Sequence, residues 1–313
     1  MKRQLLGVAA FMLALSAHAQ DNPLWMRYCA ISPDGTSIAF TYKGDIYTVP
    51  VNGGKAAQIT TNAAHDTHPV WSPDGKQIAF ASDRMGSMDI FVVDREGGIP
   101  KRLTTHSGNE TPVAFKDADH ILFLANVMPS AEDAQFPSGQ FQQVYEVSTT
   151  GDRPVMFSSM PMEDISINKT GNALLYHDKK GYEDPWRKHH TSSITRDIWL
   201  CSLDGKRSYR KLTSFNGEDR TPVWASDGKS FYYLSEEKGS FNVFKRALDG
   251  TSSTQLTHHT KHPVRFLTAA DNGTLCYGYD GEIYTMKEGT EPRKVQISIL
   301  TDKNDKDLIR QIR

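Results

Sequence analysis

His65-x-x-His68 and His258-His259-x-x-His262 set imidazoles at spacings that can share a metal ion, and Ser82-Asp83-Arg84 puts a hydroxyl beside an acid and a cation. Each pattern lacks the rest of a reactive site. A zinc pair of the His-Glu-x-x-His kind needs both rings on one helical face with a carboxylate between them, and both histidine groups follow an Ile-Thr or Leu-Thr pair that reads as the end of a strand. A serine nucleophile needs a strained Gly-x-Ser-x-Gly turn with His and acid partners around it; no such run occurs. Carboxylates are plentiful, but nothing in their spacing pairs two of them for acid–base work. The reading therefore assigns no catalytic residue, no metal and no cofactor.

What positions these residues is an internal repeat. Trp71-Ser-Pro-Asp-Gly-Lys-Gln-Ile-Ala-Phe80 matches Ile31-Ser-Pro-Asp-Gly-Thr-Ser-Ile-Ala-Phe40, offset by forty residues, and weaker copies begin at Phe115, Ile167, Trp224 and Ala270. A second signature follows each copy, Ile or Val next to an aromatic: Ile46-Tyr47, Ile90-Phe91, Val144-Tyr145, Ile198-Trp199, Val243-Phe244 and Ile283-Tyr284. A third closes most units: Ile59-Thr60, Leu103-Thr104, Leu212-Thr213 and Leu256-Thr257. Pro pre-sets φ and Gly accepts positive φ in the Pro-Asp-Gly reversal, which lies between short apolar runs, the pattern of a hairpin. Gly-bearing pairs such as Gly53-Gly54, Gly97-Gly98 and Thr150-Gly151 mark a second hairpin in each unit.

Six four-stranded antiparallel meanders, apolar on both faces, bury those faces by stacking around an axis. The fold expected is all-β, a six-bladed β-propeller over residues 20–300. A β-sandwich gives no reason for a period near forty. The segment before Tyr28 is too short to supply an outer strand to the last blade, so closure is expected from side-chain packing between first and last blades.

Counting strands outward from the axis, the connections into each innermost strand and those between second and third strands emerge on one face, opposite the Pro-Asp-Gly turns. Just before the innermost strands one position per blade faces the channel mouth: Tyr28, His68, Thr111, Asp164, Thr221 and His262. This polar ring could line a passage for extended peptide, with its two histidines responsive near neutral pH. Two long second-to-third connections, from Asn126 to Phe141 and from Asp178 to Thr195, rise over the same face. The blade-four insertion carries Tyr182, Trp186, Arg187, Lys188, His189 and His190, types that anchor interfaces; it reads as a docking surface or a lid, or else as a solvated loop on its own blade. Ser82-Asp83-Arg84 is expected to be structural, with Asp83 capping the turn and Arg84 pairing with a neighbouring blade, and Lys43-Gly44-Asp45 and Arg196-Asp197 read as blade-to-blade ties.

The remaining features bound the setting. Lys2 and Arg3 precede an apolar run ending in Ala17-His18-Ala19, so residues 1–19 read as a secretory signal, too short to span a bilayer. The chain is expected to be secreted or periplasmic, with no membrane span after cleavage. Removing Lys2 and Arg3 from the 36 basic residues leaves 34 against 37 acidic ones, interspersed in sign, which argues against nucleic acid as a partner. Three cysteines, Cys29, Cys201 and Cys276, lie far apart in strand-like runs and are expected as separate buried thiols. Residues 301–313 form a charged tail or the start of a following domain.

Leu24-Trp25, Ile31-Ser-Pro-Asp-Gly35, Lys43-Gly-Asp-Ile-Tyr47, Trp71-Ser-Pro-Asp-Gly75, Ser82-Asp-Arg84, Arg187-Lys-His-His190 and Thr195-Arg-Asp-Ile-Trp199 together resemble the start of a bacterial tricorn-type serine protease. The single Ser-Pro-Asp-Gly units are less specific and are shared with TolB-like propellers. The resemblance implies a parent hydrolase with a second propeller and a serine-bearing domain. None of its catalytic positions falls in these residues. It implies a non-catalytic propeller that gates or docks peptides for a protease domain absent from this chain. The alternative is a stand-alone periplasmic scaffold of the TolB kind. Oligomerisation is left open.

Overall fold

The computed structural model describes residues 23–126, 141–181, 186 and 194–300. The expected signal, the charged tail and most of both long insertions lie outside the described residues. Within them there is no helix; twenty-four strands form six four-stranded antiparallel sheets, each a meander in chain order. The innermost strands are Arg27–Ile31, Asp66–Trp71, Glu110–Phe115, Met162–Ile167, Asp219–Trp224 and Arg265–Ala269.

The repeated residues each have a structural task. In the first turn of blades one and two, Asp34 and Asp74 accept from the hydroxyls of Ser32 and Ser72 at 2.6 and 2.7 Å, and from the backbone N–H of Thr36 and Lys76. The same serine hydroxyls accept from the N–H of Ser37 and Gln77, where the second strand begins. These bonds hold both aspartates below the usual carboxylate range, the serine hydroxyl contributing most. The aromatic of the second signature pairs across strands: Phe40 with Tyr47, Phe80 with Phe91 and Phe123 with Tyr145, with ring centroids 5.7–5.9 Å apart. In the third signature the Ile or Leu enters the core. The threonine hydroxyl accepts from the N–H at the foot of the third strand, Thr60 from Ile46, Thr104 from Ile90, Thr213 from Ile198 and Thr257 from Val243, each at 2.9 Å.

The core lies between blades. Ala30, Ile46 and Ile59 of blade one meet Trp71, Ile78, Phe80 and Phe91 of blade two in one buried layer, and Trp71 donates its indole N–H to the Ala30 carbonyl at 2.9 Å. Trp224 repeats this on Ser166 at the joint of blades four and five. Each large side chain so buried is worth roughly 1.5–3 kcal/mol, and neither sheet can bury it alone.

Closure combines the expected packing with a backbone clasp that comes from the other end of the chain. Blades one and six share a buried cluster that includes Met26, Cys29, Phe40, Cys276, Ile283 and Ile297. Beyond the last blade, Ile297–Ser298 pairs in parallel with Gly54–Lys55 of blade one. Gly53, at φ +89, lies under this clasp, where an added Cβ would come within 2.4 Å of the Gln296 carbonyl oxygen. Gly97 has the same φ of +89 in blade two but only ordinary contact at 3.6 Å. Gly97→Ala therefore measures left-handed strain alone, and Gly53→Ala adds the clash. The expected result in urea unfolding is a loss of about 1 kcal/mol for the first and about 2–3 kcal/mol for the second; equal losses would mean that the clasp does not hold the ring.

Candidate functional site

Five of the six innermost strands bulge at the same place. The register slips between Arg27 and Ala30, Thr67 and Val70, Glu163 and Ser166, Arg220 and Val223, and Arg265 and Thr268. Within each slip one residue is left-handed: Tyr28 at φ 51, His68 at 55, Asp164 at 49, Thr221 at 52 and Phe266 at 57. None is glycine, and for a β-branched or bulky residue this region is strained by roughly 1–2 kcal/mol. In blade three the slip falls between Pro112 and Ala114, and Thr111 is not left-handed. Tyr28, His68, Thr111, Asp164, Thr221 and Phe266 all line a central cavity of about 1130 Å³.

The structure thus brings together five of the six expected ring residues and replaces the sixth. His262 precedes its strand and is not among the cavity-lining residues; its Nε2 lies 3.2 Å from Asp280. His262-Pro-Val264 imitates His68-Pro-Val70, and the likeness misleads. Counting four residues back from the first residue of each turn, Ser32, Ser72, Asn168, Ala225 and Ala270, gives Tyr28, His68, Asp164, Thr221 and Phe266. That count was available in the sequence.

One side of the channel is aromatic. Tyr28 lies against His68 with ring centroids 3.7 Å apart and against Phe266 at 4.8 Å. Trp186, 42% exposed, reaches from blade four across the channel: its ring is 6.2 Å from Phe266, with the guanidinium carbons of Arg27 and Arg265 at 4.8 and 4.9 Å. Tyr182, Arg187, Lys188, His189 and His190 of the same insertion lie outside the described residues. Burial above all pushes the His68 ring down to about 4, against the pull of Asp164. His68 is therefore neutral from mildly acidic pH upward, and the expected response near neutrality does not come from it.

The other side is charged. Thr221 donates its hydroxyl to Asp164 at 2.6 Å, and the Thr221 N–H donates to His177 Nδ1 at 3.2 Å. With Nδ1 accepting, the imidazole places its proton on Nε2 and donates to Glu163 at 3.2 Å. Lys179 binds the other Glu163 oxygen at 2.7 Å. Burial by itself would raise Glu163, but the hydrogen bond from His177 and the Lys179 charge hold it well below the usual carboxylate range. Arg196 and Arg220 complete this wall. Thr221 gives its proton to a carboxylate and not to the imidazole, so the group lacks the nucleophile–base contact of a hydrolytic site. It presents donors, acceptors and arene faces. His177, Arg220 and Arg265 escaped the sequence reading, and Arg196 was read only as a tie between blades, because they lie off the ring position, at strand ends that converge only in the fold.

The other polar patterns are ties. Asp83 accepts from the His65 N–H at 2.7 Å, in the connection that leads into the first strand of the same blade and not in its own turn. Arg84 binds both Asp66 oxygens at 3.0 Å, within its own blade instead of a neighbour's, because it follows by two residues Ser82, the cross-strand partner of Asp66. Arg196 does cross to the next blade, at Glu218, while Asp197 is held within blade four by Lys180 and Lys211. His259 stacks on Tyr279 at 3.8 Å and meets the Tyr277 hydroxyl at 3.0 Å.

Residues 23–292 match the family described as the tricorn protease N-terminal β-propeller domain. Tricorn protease homolog 1 of Streptomyces coelicolor is 25% identical over 279 residues, 88% of this chain and 25% of that protein. An uncharacterized protein of Agrobacterium fabrum, Atu1656, is 34% identical over 216 residues, 65% of this chain and 68% of its own length. Among solved structures, the crystal structure of the tricorn protease superposes with a TM-score of 0.75 at 20% identity, covering 90% of this chain and 27% of that one. The chain spans about a quarter of the length of the tricorn homologues it matches. It belongs to the tricorn protease N-terminal β-propeller family.

Proposed function

We propose, with membership of that family as the premise, that this propeller performs no hydrolysis itself and that its central channel receives and orients short peptides for a serine-protease domain of the parent protein. The observation that carries the reading is the ring of left-handed, non-glycine residues around the cavity. Such strain persists where the surroundings enforce it, and it gathers at binding and switch sites; here it turns Tyr28, His68, Asp164, Thr221 and Phe266 toward one space. An extended peptide needs partners for its backbone and arene or apolar faces for its side chains. The Asp164–Thr221–His177 wall offers the first, and Tyr28, Phe266 and Trp186 the second. The leader-like residues 1–19 support a location in the periplasm or beyond.

Thr111→Trp tests the channel without forcing a left-handed backbone. Short fluorescently labelled synthetic peptides are expected to bind the wild-type chain in an anisotropy titration and to lose at least about 10-fold in affinity, about 1.4 kcal/mol, with the variant at an unchanged melting temperature. Equal binding by both would remove the channel from the function. Peptide cleavage abolished by a serine-directed inhibitor would overturn the non-catalytic assignment.

One observation favours a second reading, a propeller that binds a partner without a protease domain on its own chain. The 216 matched residues of Atu1656 are 68% of that protein, which makes it comparable to this chain in length. Reading the coding sequence beyond Arg313 separates the two: a following serine-bearing domain supports the first.

A further inference from the structure

All three cysteines are buried free thiols, as expected, but two of them share one part of the core. Cys29, on the innermost strand of blade one, and Cys276, on the second strand of blade six, Leu275–Tyr279, lie in the same buried cluster at the seam of the ring. The backbone holds them there. Ile31 N–H donates to the Thr268 hydroxyl at 3.0 Å, and Thr268 is the cross-strand partner of Cys276. Cys29 Sγ donates to the Phe266 carbonyl at 3.5 Å. Burial above all raises the Cys276 thiol well above an ordinary one, and Cys29 is the neighbouring group that adds to the rise. Cys201 is buried in a different cluster, between blades three and four.

We propose that Cys29 and Cys276 are a disulfide site that closes the propeller covalently from first blade to last, leaving Cys201 as a free thiol. The seam is where such a bond acts most. Among the described residues the strand pairing at the seam is short, Ile297 with Gly54 and Ser298 with Lys55, beside single backbone bonds from Met26 N–H to the Gly281 carbonyl and from Asp271 N–H to the Pro33 carbonyl. A crosslink between opposite ends of the chain removes the largest share of unfolded-state freedom. The oxidant is a disulfide, small or protein-borne. One cysteine thiolate attacks a sulfur of that disulfide, breaks its S–S bond and expels one thiolate, leaving a mixed disulfide. The second cysteine, having lost its proton, attacks the first cysteine's sulfur and expels the other thiolate. Two electrons and two protons leave with the oxidant as two thiols. Both sulfurs are enclosed once the ring is complete, at 2% and 0% exposure, so the exchange occurs as the ring closes. The export reading matters only for where the oxidant is met.

The test uses the full chain, unfolded and reduced, then refolded with reduced and oxidised glutathione, and it is independent of peptide binding. Free thiols are alkylated in denaturant and peptides are mapped without reduction. The expected result is alkylation at Cys201 alone, a linked Cys29–Cys276 peptide lighter by two hydrogens, and a melting temperature at least about 5 °C above that of the reduced chain. Cys29→Ala and Cys276→Ala should each abolish the redox dependence of melting. Three alkylated cysteines in folded protein at every glutathione ratio would overturn the proposal, as would links to Cys201 or stable glutathione adducts at the seam. Should the alanine variants fail to fold, the thiol map of the wild-type chain decides.

Discussion

Glu218→Gln is expected to destabilise the folded chain by about 3–5 kcal/mol in urea unfolding. Glu218 has no exposed surface, and its Oε1 lies 2.5 Å from Arg196 Nη1 and 3.7 Å from Arg220 Nη1. Both arginines are themselves buried, and Arg220 is stacked 3.9 Å over the Phe241 ring. Burial pushes Arg220 down to about 10, and the Glu218 charge is what chiefly opposes that fall. Neutralising the carboxylate leaves two nearly buried cations at the joint of blades four and five, with Glu163, 3.6 Å from Arg196 Nε, as the remaining acid beside Arg196. Replacing Arg196 and Glu218 together by apolar residues removes charge from both sides and should lose less than Glu218→Gln alone. Glu288→Gln is the control: its partner Lys245 is 2.7 Å away, but the carboxylate is half exposed, and such pairs contribute about 0–1 kcal/mol. Equal losses for Glu218→Gln and Glu288→Gln would contradict the buried tie.

The second large effect is one of pH. At the joint of blades two and three, Glu110 faces Asp89, whose own partner is Arg102 at 2.8 Å. Burial first, and then the Asp89 charge, push Glu110 up to about 7, against a bond from Thr104 and the pull of Arg102. The folded value lies above the ordinary one of 4.5, so the folded chain binds a proton that the unfolded chain releases. The resulting stabilisation is complete below about pH 4.5 and is lost as pH rises through about 7. Over that window it amounts to about 3 kcal/mol. Glu110→Gln cannot ionise. It should match the wild type at pH 4 and exceed it by up to about 3 kcal/mol at pH 8, read from urea unfolding at both pH values; parallel pH curves would contradict the assignment. Asp219, pushed up to about 6 mainly by burial, adds in the same direction between blades four and five. Glu163 acts oppositely: held low, its contribution is present above its ordinary value and fades as pH falls through more acid values.

The fold was legible because each repeated residue answers a local backbone demand. Ser32 and Asp34 satisfy a turn, Thr60 caps a strand, and the Phe40–Tyr47 pair fills the space between sheets, so all three recur at a fixed period wherever a blade recurs. The channel was legible only as far as that period carries. Tyr28, His68, Asp164 and Thr221 stand at a constant distance before the turn, whereas blade six places a His-Pro-Val look-alike four residues too early. Contacts between strand ends left no periodic trace. Arg196 and Glu218 meet across a joint, Trp186 crosses the axis from an insertion, and Cys29 and Cys276 become neighbours only because a ring makes its first and last members adjacent. The paired carboxylates at the joints were invisible for the same reason.

The central claim is that peptide is held in the channel, and photocrosslinking reads it directly. Short peptides carrying a benzophenone side chain are irradiated with the intact chain, and the modified residues are mapped by mass spectrometry. Adducts are expected on Tyr28, His68, Phe266 and Trp186, and they should disappear in Thr111→Trp. Adducts confined to the outermost strands or to the Ser-Pro-Asp-Gly turns, and undiminished by that substitution, would contradict the account.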